Sequence, residues 1–177
     1  SEKYLQAAIK LDPEMDRAYA SLGFIRNYTG KYDEALQYLE KAVRFDKTGN
    51  NHLTYFYYAQ ALMKEGNDGH LSATDLDKEK AAKIRQSVQK AIAINPTFLP
   101  AYSLLGFLSV VTREGLDDAA IKLKGILGYA PGDQNCALQL GQVYLHLEKF
   151  EEATRIFQKP INTANDEPIN RTAQSQL

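Results

Sequence analysis

The side chains that could do chemistry here are three histidines, one cysteine and a scattered set of carboxylates. Acyl transfer would need a nucleophile within reach of a base, and glycoside or proton chemistry would need paired carboxylates in an apolar setting. Neither is written in the sequence. His52, His70 and His146 stand far apart, and there is no Gly-x-Ser-x-Gly elbow and no glycine-rich phosphate loop. Asp68, His70, Asp75 and Asp77 could suggest a metal loop, but their spacing matches neither a calcium loop nor a zinc motif. A solvated loop is the reading, with no metal and no cofactor. Cys136 has no cysteine partner in the chain and lies in an apolar helical pattern, which suits a small buried hydrophobe. Lys78, Lys80, Lys83, Arg85 and Lys90 form a basic stretch, yet Ala81, Ala82, Ile84 and Val88 run through it with helical spacing. That is the pattern of an amphipathic helix with a solvated face. The net charge of −1 gives no field to draw in nucleic acid. No apolar run reaches the roughly 20 residues that a membrane span needs. The chain is therefore read as a non-enzyme.

Attention shifts to the elements, and these recur. Leu22-Gly23-Phe24 returns as Leu105-Gly106-Phe107, each preceded by a tyrosine at the same distance, Tyr19 and Tyr102, with 83 residues between the copies. Leu11-Asp12-Pro13 and Ile94-Asn95-Pro96 are also 83 apart, while Pro96 to Pro131 and Gly106 to Gly141 are both 35. Unrelated markers thus share one spacing, the signature of a repeat architecture with a unit of about 34 residues. Two such units fill about 68 of the 83 residues, so one unit carries an insertion of about 15. The turn-forming stretch Asn67 to Asp75 is where it falls, with Thr74 or Asp75 as the expected N-cap of the helix that resumes near Leu76. Gly23, Gly106, Gly141 and Ala59 fall in mid-helix, where glycine is unfavourable by about 0.5–1 kcal/mol. Close approach of a partner helix would offset that, with Ala35, Ala119 or Ala153 expected opposite.

The pattern aromatic-x-x-Leu-Gly, followed by Ala-x-x-x-aromatic and then proline, resembles the tetratricopeptide repeat. Tyr19, Leu22, Gly23, Gly30, Tyr32, Ala35, Leu39 and Ala42 occupy its slots in one unit. Tyr102, Leu105, Gly106, Ala119 or Ala120, and Pro131 do so in another, and Leu140, Gly141, Tyr144, Phe150, Ala153 and Phe157 in the last. Arg26 departs, standing where tyrosine is usual, and Pro160 is expected to cut the final helix short. The resemblance implies an all-α, right-handed superhelical solenoid of antiparallel helix hairpins. Its expected divisions are the second helix of a partial repeat over 1–13, repeats over 16–49, 52–98 (insertion at about 67–75), 99–133 and 134–167, and a partial or capping helix over 168–177. Both ends read as cut from a longer array.

In this family the first helix of each repeat lines a concave groove. By that resemblance the peptide-binding candidates are Arg17, Phe24, Asn27 and Tyr28, then Phe56, Tyr57, Gln60 and Met63, then Ser103, Phe107 and Val110, and finally Leu138 and Gln142. Aromatics there would bury apolar side chains, and amides could pair with a peptide backbone. Relatives that grip a chaperone's C-terminal carboxylate use charged and amide clamps at positions taken here by Ala20, Phe24, Phe56 and Gln60, so that ligand is not expected. The leading expectation is a protein- or peptide-binding scaffold. The alternative is a regulatory or assembly arm of a larger protein whose chemistry lies elsewhere. A third reading is self-association through apolar end repeats.

Overall fold

A computed structural model describes residues 2–65 and 76–165, with side chains as far as Gln158. The described residues form helices, with no strand among them. In chain order these are α1 (Glu2–Leu11), α2 (Asp16–Tyr28), α3 (Tyr32–Phe45), α4 (His52–Lys64), α5 (Lys78–Ile94), α6 (Leu99–Thr112), α7 (Leu116–Tyr129), α8 (Gln134–His146) and α9 (Phe150–Asn165). The expected insertion at 67–75 and the capping helix at 168–177 lie outside the described residues.

Turn chemistry explains where the helices stop and start. Gly30 (φ +75°) and Gly115 (φ +64°) turn the chain between α2 and α3 and between α6 and α7 in the left-handed region, where a Cβ would be strained. Glu148 makes the same turn between α8 and α9 at φ +59°, without glycine's freedom. Side-chain caps hold three helix starts: Asn51 accepts from Leu53 N at 3.2 Å, Asp77 from Lys80 N at 2.7 Å and Asp133 from Cys136 N at 2.7 Å. The expected cap at Thr74 or Asp75 falls outside the described residues, and the cap of α5 is Asp77. A second correction concerns Pro160, which does not end α9: the helix runs on to Asn165. Proline's fixed φ is compatible with a helix, and what it removes is the one amide that would have bonded the carbonyl of Ile156.

The chain divides into two compact units, Ser1–Ala101 and Tyr102–Leu177. In the first, α2 and α3 form one antiparallel hairpin and α4 and α5 a second, while α1 lies on α2, α3 on α4, and α2 touches α4. Tyr19, Ala20 and Ala42 form a buried cluster, with Ile9, Phe24, Tyr38 and Phe45 packed against it. Arg26 ties α1, α2 and α3 together. Its two terminal nitrogens donate to Glu2 at 2.9 and 2.8 Å, and its Nε lies 2.6 Å from Glu34 Oε2, a close charge contact without aligned N–H donation. The hydrogen bond from Arg26 leads in holding the Glu2 carboxyl below its ordinary range. In the second unit α7 lies on α8 and α8 pairs with α9 around buried Leu105, Leu108, Leu123, Leu140 and Val143. Each such leucine contributes on the order of 1.5–3 kcal/mol by burial.

The mid-helix glycines close these hairpins differently from the small-against-small expectation. A Cβ on Gly23 would come within 2.5 Å of Leu39 Cγ, and one on Gly106 within 2.8 Å of both Leu123 Cδ1 and Gln139 Cβ. At Gly141 the added Cβ would run into the ring of Phe157. Each opposing side chain stands four residues, about one helical turn, beyond the alanine expected there: Leu39 after Ala35, Leu123 after Ala119, Phe157 after Ala153. The glycine is therefore a socket for a large side chain, and the alanines are buried one turn away.

Candidate peptide-binding faces

α2 and α4 are the first helices of consecutive hairpins, and where they touch, their aromatic side chains meet. The Phe24 and Tyr57 ring centroids are 4.9 Å apart, and Tyr57 and Phe56 are 5.3 Å apart in a T-shaped pair. Phe56 meets Phe98 edge-on at 5.1 Å, and Phe98 meets His52 at 4.8 Å. Tilted and edge-to-face geometries at these distances suit the ring quadrupoles. The result is a continuous aromatic series running from α2 across α4 to the turn before α6.

Hydrogen bonds fix both ends of the series. Asn27 is buried and donates from Nδ2 to the Tyr57 carbonyl at 3.4 Å, which uses its amide to bind α2 to α4. At the other end Asn95 Oδ1 accepts from Thr97 N at 3.2 Å and Thr97 Oγ1 at 3.0 Å, which leaves Asn95 Nδ2 facing His52 Nε2 at 3.3 Å. In that arrangement the Asn95 amide is oriented to donate to the His52 ring nitrogen.

The expected groove residues fall into distinct environments. Arg17 and Tyr28 are exposed, and Phe24, Tyr57 and Gln60 are half-buried. Phe56 and Met63 are buried, so they support the face from beneath. In the second unit Ser103, Phe107, Val110 and Gln142 are half-buried and Leu138 is exposed. Phe98 carries no mark in the sequence, and His52, one of the three histidines considered for catalysis, carries none for a place in this series. They lie in a turn and at a helix start, outside the motif slots, and only the tight Asn95-Pro96-Thr97 turn hints that they come together.

Other singled-out features are structural in the geometry observed. Within the basic stretch, Lys80 pairs with Glu65 at 3.1 Å and Lys83 with Glu79 at 2.9 Å. Cys136 is fully buried, and burial, reinforced by Asp133, pushes its thiol up to about 12. Asp46 organises the turn after α3. Its carboxylate accepts from Gly49 N at 2.7 Å, Thr48 N at 3.0 Å and Tyr55 Oη at 2.9 Å. Burial opposes ionisation of Asp46, but these donors outweigh it and its pKa lies below the ordinary value. Burial and then the Asp46 contact raise the Tyr55 phenol to about 12.

Comparison with known proteins agrees with this geometry. Residues 16–48 match the tetratricopeptide repeat family profile. The TPR repeat-containing protein YpiA of Bacillus subtilis is 27% identical over 157 residues, which is 88% of this chain and 33% of YpiA. The chain thus spans about a third of that relative's length. Among solved structures, YrrB, described as a TPR protein with an unusual peptide-binding site, superposes with a TM-score of 0.74 at 21% identity, over 98% of this chain and 81% of YrrB. MamA gives a TM-score of 0.74 at 20% identity over 93% of this chain and 86% of its own. The first TPR of Spaghetti (RPAP3), solved bound to the HSP90 peptide SRMEEVD, gives 0.59 at 20% identity over 77% of this chain and 96% of its own. Residues 16–48 are thus a match to the tetratricopeptide repeat across the α2–α3 hairpin, and the chain has the fold of solved tetratricopeptide structures.

Proposed function

We propose that this chain is a non-enzymatic scaffold that binds a protein or peptide segment on the faces of its first helices. The observation carrying this reading is the aromatic series of α2 and α4, in which half-buried Phe24 meets half-buried Tyr57 and Tyr57 meets buried Phe56. Such an arrangement offers apolar area on rings already held in place, so little side-chain entropy is lost on binding. Arg17, Tyr28 and Gln60 complete the candidate face in the first unit, with Asn27 and Met63 holding it from within. In the second unit Ser103, Phe107, Val110, Leu138 and Gln142 form a separate candidate face on α6 and α8. The proposed repeat divisions are 16–49, 52–98, 99–133 and 134–167. Peptide binding described for YrrB and for the first TPR of RPAP3 supports the same reading by likeness of fold.

The test is affinity capture with Phe24→Asp and Tyr57→Asp variants whose helicity by circular dichroism matches the parent. Loss of the captured partner is the expected result. Undiminished capture by both variants would remove α2 and α4 from the function. The match to a third of YpiA favours a second reading, in which this segment is the assembly arm of a longer protein. That reading predicts that the same partner is captured by the longer protein and lost on deletion of this segment alone.

A further inference from the structure

Charge is distributed unevenly between the two helices of each hairpin. In the first unit α3 carries Asp33, Glu34, Glu40, Lys41 and Arg44, and α5 carries Glu79 among a run of lysines. The first helices are nearly bare. α4 has Lys64 as its sole charged residue, and α2 has Asp16, Arg17 and Arg26. Of these, Arg26 is clasped by Glu2 and Glu34, Lys64 keeps its charge while its Nζ donates to Tyr32 Oη at 3.1 Å and sits 4.7 Å from that ring's centre, and Asp16 and Arg17 are neighbours in the first turn of α2. The Phe24–Tyr57 wall therefore presents aromatic surface and the Gln60 amide, with no carboxylate beyond the first turn of α2.

We infer that this wall takes an extended, uncharged peptide segment rich in aliphatic or aromatic side chains, held by apolar burial and not by charge pairing. The inference rests on the peptide-binding reading above and gives the ligand its chemistry. A charged side chain seated against Phe24 and Tyr57 would lose hydration and gain no opposite charge in return. An acidic tail would find Arg17, next to Asp16, and Lys64, whose ammonium is already engaged with Tyr32. A basic segment would find ring faces, whose attraction for a cation is weak at exposed sites, and Arg17 would repel it. A neutral apolar segment meets neither penalty.

The probe is a phage-displayed library of random peptides panned against the intact chain, followed by synthesis of the enriched peptides. Their affinities are measured by fluorescence anisotropy at about 0.1 M and about 1 M salt, between which the screening length falls from ~10 to ~3 Å. Gln60→Glu, nearly isosteric and half-buried, places one carboxylate on the wall with little risk to folding. Tyr57→Asp removes a ring and adds a charge. The expected result is enrichment of apolar sequences depleted in Lys, Arg, Asp and Glu, whose affinity changes less than about twofold with salt and falls about tenfold in Gln60→Glu. Enriched peptides that are charged and weaken about tenfold in high salt, yet still depend on Tyr57, would overturn the uncharged-ligand inference and leave the binding face standing. Peptides indifferent to both substitutions, or no enrichment at all, would overturn the face and the inference together.

Discussion

Replacing glycine by alanine in mid-helix ordinarily stabilises a protein by about 0.5–1 kcal/mol, because alanine restricts the unfolded chain and suits the helix. This chain contains the control for that rule and its exception. Nothing lies within 4 Å of a Cβ added at Gly125 or Gly128 of α7, and neither has a positive φ, so Gly125→Ala and Gly128→Ala should each give the ordinary gain. At Gly23 the new Cβ would come 2.5 Å from Leu39 Cγ and 2.8 Å from its Cδ2. Leu39 is fully buried between helices and cannot swing into water. Overpacking of that kind costs about 1–3 kcal/mol. Set against the helical gain, Gly23→Ala should be destabilising by up to about 2 kcal/mol. Urea unfolding followed by circular dichroism measures each difference. The decisive arm is the double variant. Leu39→Ala alone costs about 2–5 kcal/mol by opening a cavity, and the Gly23 Cβ would partly fill it, so the double variant should be more stable than the two single losses added together. Stabilisation by Gly23→Ala like that at Gly125, or strict additivity with Leu39→Ala, would refute the socket.

Three further outcomes follow from single sites. Glu148→Gly should stabilise the fold by about 1 kcal/mol, since Glu148 occupies left-handed backbone at φ +59° where Gly30 serves the equivalent turn, and thermal unfolding checks it. Tyr55 has a folded pKa raised to about 12 from an unfolded value near 10. Its contribution is therefore complete below pH 10 and lost as pH rises through 12, and Tyr55→Phe should flatten that stretch of the stability profile and remove one late-titrating phenolate from the ultraviolet titration. Cys136, fully buried with its thiol up at about 12, should stay inert to a disulfide reagent at neutral pH until the chain is unfolded, and prompt labelling of the native protein would contradict its burial.

The architecture was legible because its markers are covalent and periodic. Spacings such as Leu22-Gly23-Phe24 to Leu105-Gly106-Phe107 survive even where an insertion shifts one unit, and the alanines that accompany the glycines mark the second helix of each hairpin. Distances across the hairpin are not periodic in the same sense. The motif named Ala35 as the partner of Gly23, while the side chain in the socket is Leu39 one turn on, a matter of helix offset that sequence spacing does not encode. Register names the helices of the candidate face, but it does not give the environment of each residue on them. Register alone ranks Phe56 and Met63 with Phe24, yet Phe56, set edge-on against Phe98, and Met63 are buried. Register offers the Asn27 amide to a ligand, but that amide donates to the Tyr57 carbonyl. Pro160 predicts a stop because proline disfavours a helix interior, yet α9 continues to Asn165.

The central claim is that the α2–α4 face binds a peptide, and amide chemical-shift mapping tests it most directly. On titration with an enriched apolar peptide, shifts should concentrate at Arg17, Phe24, Tyr57 and Gln60 and leave the charged residues of α3 and α5 unmoved. Shifts confined to α3 and α5, with Phe24 and Tyr57 silent, would contradict it.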